Sequence, residues 1–261
     1  ASGELTYNRL QQTSDLLARG FLRLGVKKGD KVAIWMAGYA EWAFVYFALA
    51  RIGAIMVPVN TRYRPDEIKY VLNKSKASLL VFKEEPNKDF LSLLKELFLD
   101  VFAGNLPTEA LSSLRTLIVA SDRRIDGCLG LNELIEAGKA VSEKELLQAA
   151  NEVTGDDIAM LQFTSGTTAV PKAAMLFQSA MLRGALCGCE ILRLSEADRF
   201  FSPQPFFHVG GSIQVMLTPI ISGCRMIVQP YFDAGEALEL MERYQCNVLM
   251  GHQPHYIEYL N

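Results

Sequence analysis

The 261-residue sequence holds three histidines, two tryptophans and five cysteines, and it has no surplus of positive charge. Each scarcity closes a class of explanation. The cysteines, Cys128, Cys187, Cys189, Cys224 and Cys246, are odd in number and irregularly spaced. They do not suggest a disulfide framework, which a chain of this size does not need. With 26 basic against 29 acidic residues the net charge is −3, so no strong positive field is available to hold a nucleic-acid backbone. Long apolar runs are missing too. The most apolar stretch, Trp42 to Asn60, is interrupted by Arg51, Gly53 and Pro58. It is too short and too broken to span a bilayer, and it reads as a buried helix followed by a buried strand. The opening residues, Ala-Ser-Gly-Glu, lack an initiator Met and any basic stretch leading into an apolar one. They predict a processed or shortened end, no signal peptide, and the cytoplasm as the default compartment. No internal repeat or low-complexity segment stands out.

What is present is ordinary globular composition, half hydrophobic and 21% charged. The length allows one large domain or two smaller ones. Strand-like and helix-like segments alternate, which predicts an α/β fold with layered, mostly parallel sheets flanked by helices. A first helix is expected over 7–24, after Thr6 and before Gly25. Strands are expected over 32–36, 55–59, 79–82 and 116–120, with helices over 41–52, 65–73 and 89–99 between them. The segment 122–130 reads as turns, and 132–138 and 142–150 as helices. Residues 158–163 form an apolar strand. Beyond it follow a helix over 179–192, a strand at 200–201, a helix over 211–221 and a strand over 226–228. A helix over 234–244, a strand over 248–250 and a helix starting near Pro254 complete the alternation. Subdomain divisions are expected near 60–80 and 155–200.

The most informative segment is Thr164-Ser165-Gly166-Thr167-Thr168-Ala169-Val170-Pro171-Lys172-Ala173. It follows one expected strand and precedes an expected helix. Its hydroxyls, backbone N–H groups and ammonium suit a polyphosphate, and they could stabilise charge developing on a departing pyrophosphate. Composition alone leaves an ordinary Ser/Thr-rich surface loop equally open. The spacing is not that of the Gly-x-x-x-x-Gly-Lys phosphate loop. It resembles the loop T-S-G-T-T-G-x-P-K-G of the adenylate-forming superfamily. Thr164, Ser165, Gly166, Thr167, Thr168, Pro171 and Lys172 are retained, while Ala169 and Ala173 stand at glycine positions. Further similarity lies in Leu5-Thr6-Tyr7, Gly29 to Ile34, Val57-Pro58-Val59-Asn60, Pro205-Phe206-Phe207-His208-Val209-Gly210-Gly211 and Phe232-Asp233, so the resemblance covers nearly the whole chain.

The resemblance, closest to acyl-CoA synthetases, implies the N-terminal part of the large adenylation domain and a two-step acid–thiol ligation. A carboxylic acid, a fatty acid first and an aromatic acid second, reacts with Mg-ATP to give an acyl-adenylate and pyrophosphate; CoA then displaces AMP. Carried over by position, Thr164, Ser165, Gly166, Thr167, Thr168 and Lys172 would contact the phosphates. His208 would act near the carboxylate, and Gly210 and Gly211 would let the backbone approach a ligand. No resident metal site is expected in the protein; Mg2+ comes with ATP. The chain stops at Asn261 inside an expected helix, before the family's Y-G-x-T-E segment, ribose-binding Asp and late catalytic Lys. This span alone is therefore expected not to complete adenylation. Ala169 and Ala173 would strain the loop if either position needs a positive φ, and Gln178 stands where the family often has His. The alternatives are a non-catalytic relative or scaffold of the same fold, and a carrier-protein-linked adenylation domain. A homodimer through an exposed sheet edge is a further expectation.

Other candidates have blander explanations. His252 and His255 could face one way on a helix, but no third ligand is evident. Cys187-Gly-Cys189 reads as helix packing. Asp30, Asp156 and Asp157 read as turn caps. Phe200, Phe201, Phe206 and Phe207 read first as core and second, by resemblance, as an acyl tunnel lining. Trp35 and Trp42 read as core. The amphipathic run 91–98 reads as a core-facing surface helix.

Overall fold

A computed structural model of the chain describes residues 3–84, 93, 96, 111–164 and 171–260. The chain divides into two compact units, one of residues 1–36 and 40–178, the other of residues 37–39 and 179–261.

The first unit opens with α1 (Tyr7–Arg23). The Thr6 hydroxyl accepts from the Arg9 N–H at 3.2 Å, satisfying one of the free donors of the first turn. Leu10, Leu17 and Phe21 share the buried face, and Gly25, at φ +78°, takes the left-handed turn that ends the helix. Next come β1 (Lys31–Trp35), α2 (Ala40–Arg51), β2 (Ile55–Pro58), α3 (Pro65–Ser75) and β3 (Leu79–Phe82). Pro65 starts α3 at a position where its missing N–H costs nothing. The Glu67 carboxylate reaches back to accept from the Arg64 N–H at 2.8 Å. The unit continues through β4 (Thr116–Val119), β5 (Leu129–Gly130), α4 (Leu131–Gly138), α5 (Glu143–Asn151), β6 (Ile158–Thr164) and β7 (Lys172–Phe177).

These strands form one seven-stranded sheet, ordered β5-β4-β3-β1-β2-β6-β7. Every neighbouring pair is parallel except β6 with β7. Strands β1, β2 and β3 are apolar and buried nearly throughout, as strands covered on both faces must be. Trp35, Val57, Leu80, Phe82, Leu117 and Phe163 belong to one core cluster with Ile68 and Leu72 of α3.

The second unit contains α6 (Gln178–Leu192) from Ser179 onward, β8 (Arg199–Ser202), a π-helix (Gly210–Leu217), α7 (Thr218–Ser222), β9 (Arg225–Val228), α8 (Ala234–Arg243), β10 (Val248–Leu249) and α9 (Gln253–Leu260). Its three strands form a parallel sheet in the order β10-β8-β9. The Asp233 carboxylate caps α8 by accepting from the Glu236 N–H at 2.8 Å.

The layered, mostly parallel α/β architecture agrees with the sequence, and Trp35, Trp42, Phe200, Phe201, Phe206 and Phe207 are all buried. Four local expectations change. Strand β5 lies within the segment read as turns, and β7 stands where no strand was expected. The helix expected over 211–221 begins as a π-helix. Cys187 is exposed rather than packed. The helix expected over 89–99 and the amphipathic run 91–98 lie outside the described residues, apart from Leu93 and Glu96, which are helical. Among the described residues no helix is long and apolar enough to cross a membrane.

Candidate functional site

Two segments carry the residues singled out by sequence, and each leaves the carboxyl edge of a parallel sheet. That edge is where open α/β sheets bind ligands.

In the first unit the hydroxyl-rich loop starts at the end of β6, which runs parallel to β2. It does not lead into a helix as expected. It returns directly as β7, antiparallel to β6, with Thr164 opposite Lys172 and Phe163 opposite Ala173. Its ends are therefore the neck of a hairpin and not the entry to a helix. Thr164 and Lys172 meet at its neck, where the Thr164 hydroxyl donates to the Lys172 carbonyl at 3.4 Å. Tyr70 of α3 donates its hydroxyl to the Pro171 carbonyl at 3.2 Å and sets its ring edge-on to Phe163 at 6.5 Å. The core thus reaches out to hold one side of the neck. At the base, the Gln178 N–H donates to the Asp157 carbonyl at 2.9 Å. Lys172 is exposed at the neck. Ser165, Gly166, Thr167, Thr168 and Ala169 lie outside the described residues.

Ala173 bears on the expected strain. It sits in a strand, and the residues other than glycine with positive φ among those described are Lys76, Arg193 and Gln245. An alanine at 173 is therefore unstrained, whatever holds at 169.

In the second unit, β8 ends at Ser202 and runs into Pro203-Gln204-Pro205-Phe206-Phe207-His208. A turn closes where the His208 N–H donates to the Pro205 carbonyl at 3.2 Å. The His208 carbonyl then accepts from the Ser212 N–H at 2.9 Å as the π-helix begins. Phe206 and Phe207 point inward, whereas His208 is exposed, its ring 4.7 Å from that of Phe207. Gly210 and Gly211 have a reason unrelated to any ligand. A Cβ on Gly211 would lie 2.0 Å from the Pro205 carbonyl oxygen, and one on Gly210 would lie 2.8 Å from Gln204 Oε1. Gly211 is required by the chain's own backbone crossing over it.

The same edge gathers two buried amides that the sequence reading passed over, Gln204 and Gln229. Gln229 follows β9 and donates through Nε2 to the Asp233 carbonyl at 3.0 Å and to Glu236 Oε2 at 2.8 Å. Its Oε1 is buried without a partner among the described residues. A single glutamine directly after an apolar strand was the only signal available. The His252 and His255 pair is explained locally, since the His252 N–H donates to His255 Nδ1 at 3.0 Å. Phe232 covers the His255 ring at 4.7 Å. Burial, followed by the neighbouring His252, lowers the His255 pKa. Of the turn aspartates, Asp30 accepts from the Lys27 N–H at 2.9 Å. Asp157 accepts from the Thr154 N–H at 2.6 Å and pairs with Lys28 at 2.7 Å.

Each unit is thus an α/β layer whose mainly parallel sheet carries one of the singled-out segments at its carboxyl edge. The chain belongs to the AMP-binding enzyme family, whose profile matches residues 1–261. It is 31% identical over 267 residues to the mitochondrial medium-chain acyl-CoA ligase ACSF2 of Macaca fascicularis, a match covering 98% of this chain and 43% of that protein. It is 27% identical over 266 residues to the medium-chain fatty-acid–CoA ligase of Escherichia coli (strain K12), covering 98% and 43% respectively. The anthranilate CoA ligase AuaEII, solved with anthranoyl-AMP, shares the fold at a TM-score of 0.80 and 24% identity, over 95% of this chain and 44% of its own. These relatives are acid–thiol ligases, and the chain spans less than half the length of each.

Proposed function

We propose that this chain forms the nucleotide-phosphate half of an ATP-dependent acid–thiol ligase that makes an acyl-adenylate and then an acyl-CoA. One observation carries the reading: Thr164 and Lys172, the two ends of the retained set, pair across β6 and β7 at the carboxyl edge of a mainly parallel sheet, in a chain of the AMP-binding family. The substrate class follows the medium-chain acyl-CoA ligases among its relatives, and the same names favour CoA over a carrier-protein thiol.

In this reading the carboxylate oxygen bonds to the α-phosphorus of Mg-ATP and the bond to pyrophosphate breaks. The thiol sulfur then bonds to the acyl carbon and AMP departs. Thr164, Ser165, Thr167 and Thr168 offer hydroxyl donors, Gly166 offers its backbone N–H, and Lys172 places a full positive charge where the leaving pyrophosphate gains charge. His208, exposed beside the buried Phe207, stands at the acid, with Gly210 and Gly211 shaping the backbone that carries it. Among the described residues no group of three or more His, Cys, Asp or Glu side chains is placed to hold a metal ion. In this reading Mg2+ enters as part of Mg-ATP, held by phosphate oxygens.

The decisive experiment is Mg-ATP titration by calorimetry on the chain and on its Lys172→Ala and Thr164→Ala variants. Loss of the ammonium should weaken binding by roughly 10-fold or more, as expected for a charge-assisted contact. Unchanged affinity in both variants removes the assignment. The chain alone should show no acid-dependent ATP–pyrophosphate exchange, and robust exchange would overturn the reading that it supplies only part of the site. A non-catalytic relative of the same fold is the second reading. It rests on Ala169, since Ala173 is unstrained.

A further inference from the structure

Two thiols that the proposed ligase chemistry does not use, Cys189 and Cys224, converge on one turn of helix inside the second unit. Cys189 lies on α6, which packs closely over the start of α7. The Thr218 hydroxyl donates to the Ala185 carbonyl at 3.3 Å, and a Cβ on Gly188 would lie 2.8 Å from Thr218 Oγ1. Gly188 thus lets the two helices approach until the Cys189 thiol donates to the Thr218 carbonyl at 3.2 Å. Helix α7 is little more than one turn, Thr218–Ser222, so its first carbonyl and its last N–H lie side by side. The Ser222 N–H accordingly reaches the Cys189 sulfur as well. Cys224 meets the same serine. Its N–H donates to Ser222 Oγ at 3.4 Å, and the Ser222 side chain also hydrogen-bonds the Cys224 thiol. Both sulfurs therefore border Ser222. Between Ser222 and Cys224 stands Gly223, in a left-handed turn at φ +76°, where the missing Cβ leaves the backbone room to rotate. Cys224 is fully buried and Cys189 half-buried.

We propose that Cys189 and Cys224 are an oxidation-sensitive pair that closes to a disulfide when a peroxide reaches the protein. The Cys189 thiolate attacks one peroxide oxygen, the O–O bond breaks, and the sulfur becomes a sulfenic acid as hydroxide leaves. The Cys224 sulfur then attacks the Cys189 sulfur. The S–S bond forms, and the sulfenic hydroxyl departs with the Cys224 proton as water. Two thiols are oxidised and one peroxide is reduced. Cys189 reacts first because Cys224 is sealed in the core, where it waits as the resolving thiol. Burial raises both thiol pKa values, so little thiolate is present at neutral pH and closure is slow. The pair answers sustained oxidant and not a brief pulse. The loop it closes, from Cys189 to Cys224, holds β8, the turn from Pro205 to His208 and the π-helix. Closure thus clamps the segment that carries His208, and a dithiol reopens it by exchange.

The test is thiol mapping in a Cys187→Ser background, which removes the exposed thiol beside Cys189 on α6. The folded chain is treated with millimolar hydrogen peroxide, capped with iodoacetamide, digested without reductant and read by mass spectrometry. A peptide pair joined through Cys189 and Cys224 should be the dominant linkage, and dithiothreitol should separate it. Cys224→Ser should lose the pair and leave Cys189 as a sulfenic acid that dimedone labels. Cys189→Ser should lose both the pair and the label. Circular dichroism checks that the variants fold. In concentrated urea the same treatment should scatter linkages among Cys128, Cys189, Cys224 and Cys246, because the preference belongs to the fold. Cys189 and Cys224 left unlinked in the oxidised native chain overturn the proposal. So does a native chain whose linkages are as scattered as those in urea, or a Cys224→Ser variant with no dimedone label at Cys189.

Discussion

Gly211 and Gly210 are adjacent, and the sequence reading gave them one shared role, yet the structure separates them by the cost of a methyl group. In Gly211→Ala the new carbon would lie 2.0 Å from the Pro205 oxygen, 2.6 Å from its carbonyl carbon and 3.0 Å from Phe206 Cα. No rotamer relieves that contact, because every neighbour is backbone. The Pro205–Phe206 segment must retreat by about 1 Å or more to reach normal packing distance. Phe206 and Phe207, only 2% and 5% exposed, must move with it. Overpacking of this kind costs about 1–3 kcal/mol, and the rigid proline puts the expected cost near 3. With a urea dependence of about 2 kcal/mol per molar, the unfolding midpoint should fall by about 1.5 M. In Gly210→Ala the nearest atom, at 2.8 Å, is the end of the Gln204 side chain. That chain can rotate aside, so the cost should stay under about 1 kcal/mol. Urea unfolding followed by far-ultraviolet circular dichroism gives both numbers. Equal midpoints, or a larger loss in Gly210→Ala, would refute the reasoning. If Gly211 exists only to admit a ligand, Gly211→Ala would keep its full stability and lose only binding.

Two further outcomes follow from the hairpin and its base. Ala173→Gly should not tighten Mg-ATP binding measured by calorimetry, because Ala173 lies in β7 without a positive φ, and it should lower stability slightly by loosening the strand. Hydrogen bonds, first from Lys28 and then from the Thr154 N–H, hold the Asp157 carboxyl below its ordinary pKa. A depressed carboxylate stabilises the fold above its unfolded pKa of about 3.9 and loses that contribution as pH falls through the lower folded value. Asp157→Asn should thus melt below the parent at neutral pH and approach it in acid; a constant gap across that range would show that the charge is not responsible.

Sequence and structure agree where the pattern is local. Thr6, Gly25 and Pro65 mark helix ends by their own chemistry, and β1 to β3 show as short apolar runs. Strand β7 escaped because Lys172-Ala-Ala-Met-Leu-Phe177 has no intrinsic strand preference; pairing with β6 makes it one. The two residues of β5 are too few to register as a pattern. Glycines at 210 and 211 were visible, but only the crossing of Pro205 distinguishes them. The loop residues stood out because their order matched a motif, while the pairing of Thr164 with Lys172 depends on partners in space.

The hairpin also sets an order of assembly. Its strands are neighbours in sequence, so it can close within microseconds of local searching. Strand β6, however, joins the parallel sheet through Met160 beside Met56, a separation of 160 − 56 = 104 residues. The pairings of β1 with β2, at Lys31 and Ile55, span only 55 − 31 = 24 residues. Closing the longer loop costs more entropy before any contact repays it. The β6–β7 hairpin can therefore take shape as a separate piece and dock late, which leaves the apolar edge of β2 awaiting a partner during synthesis.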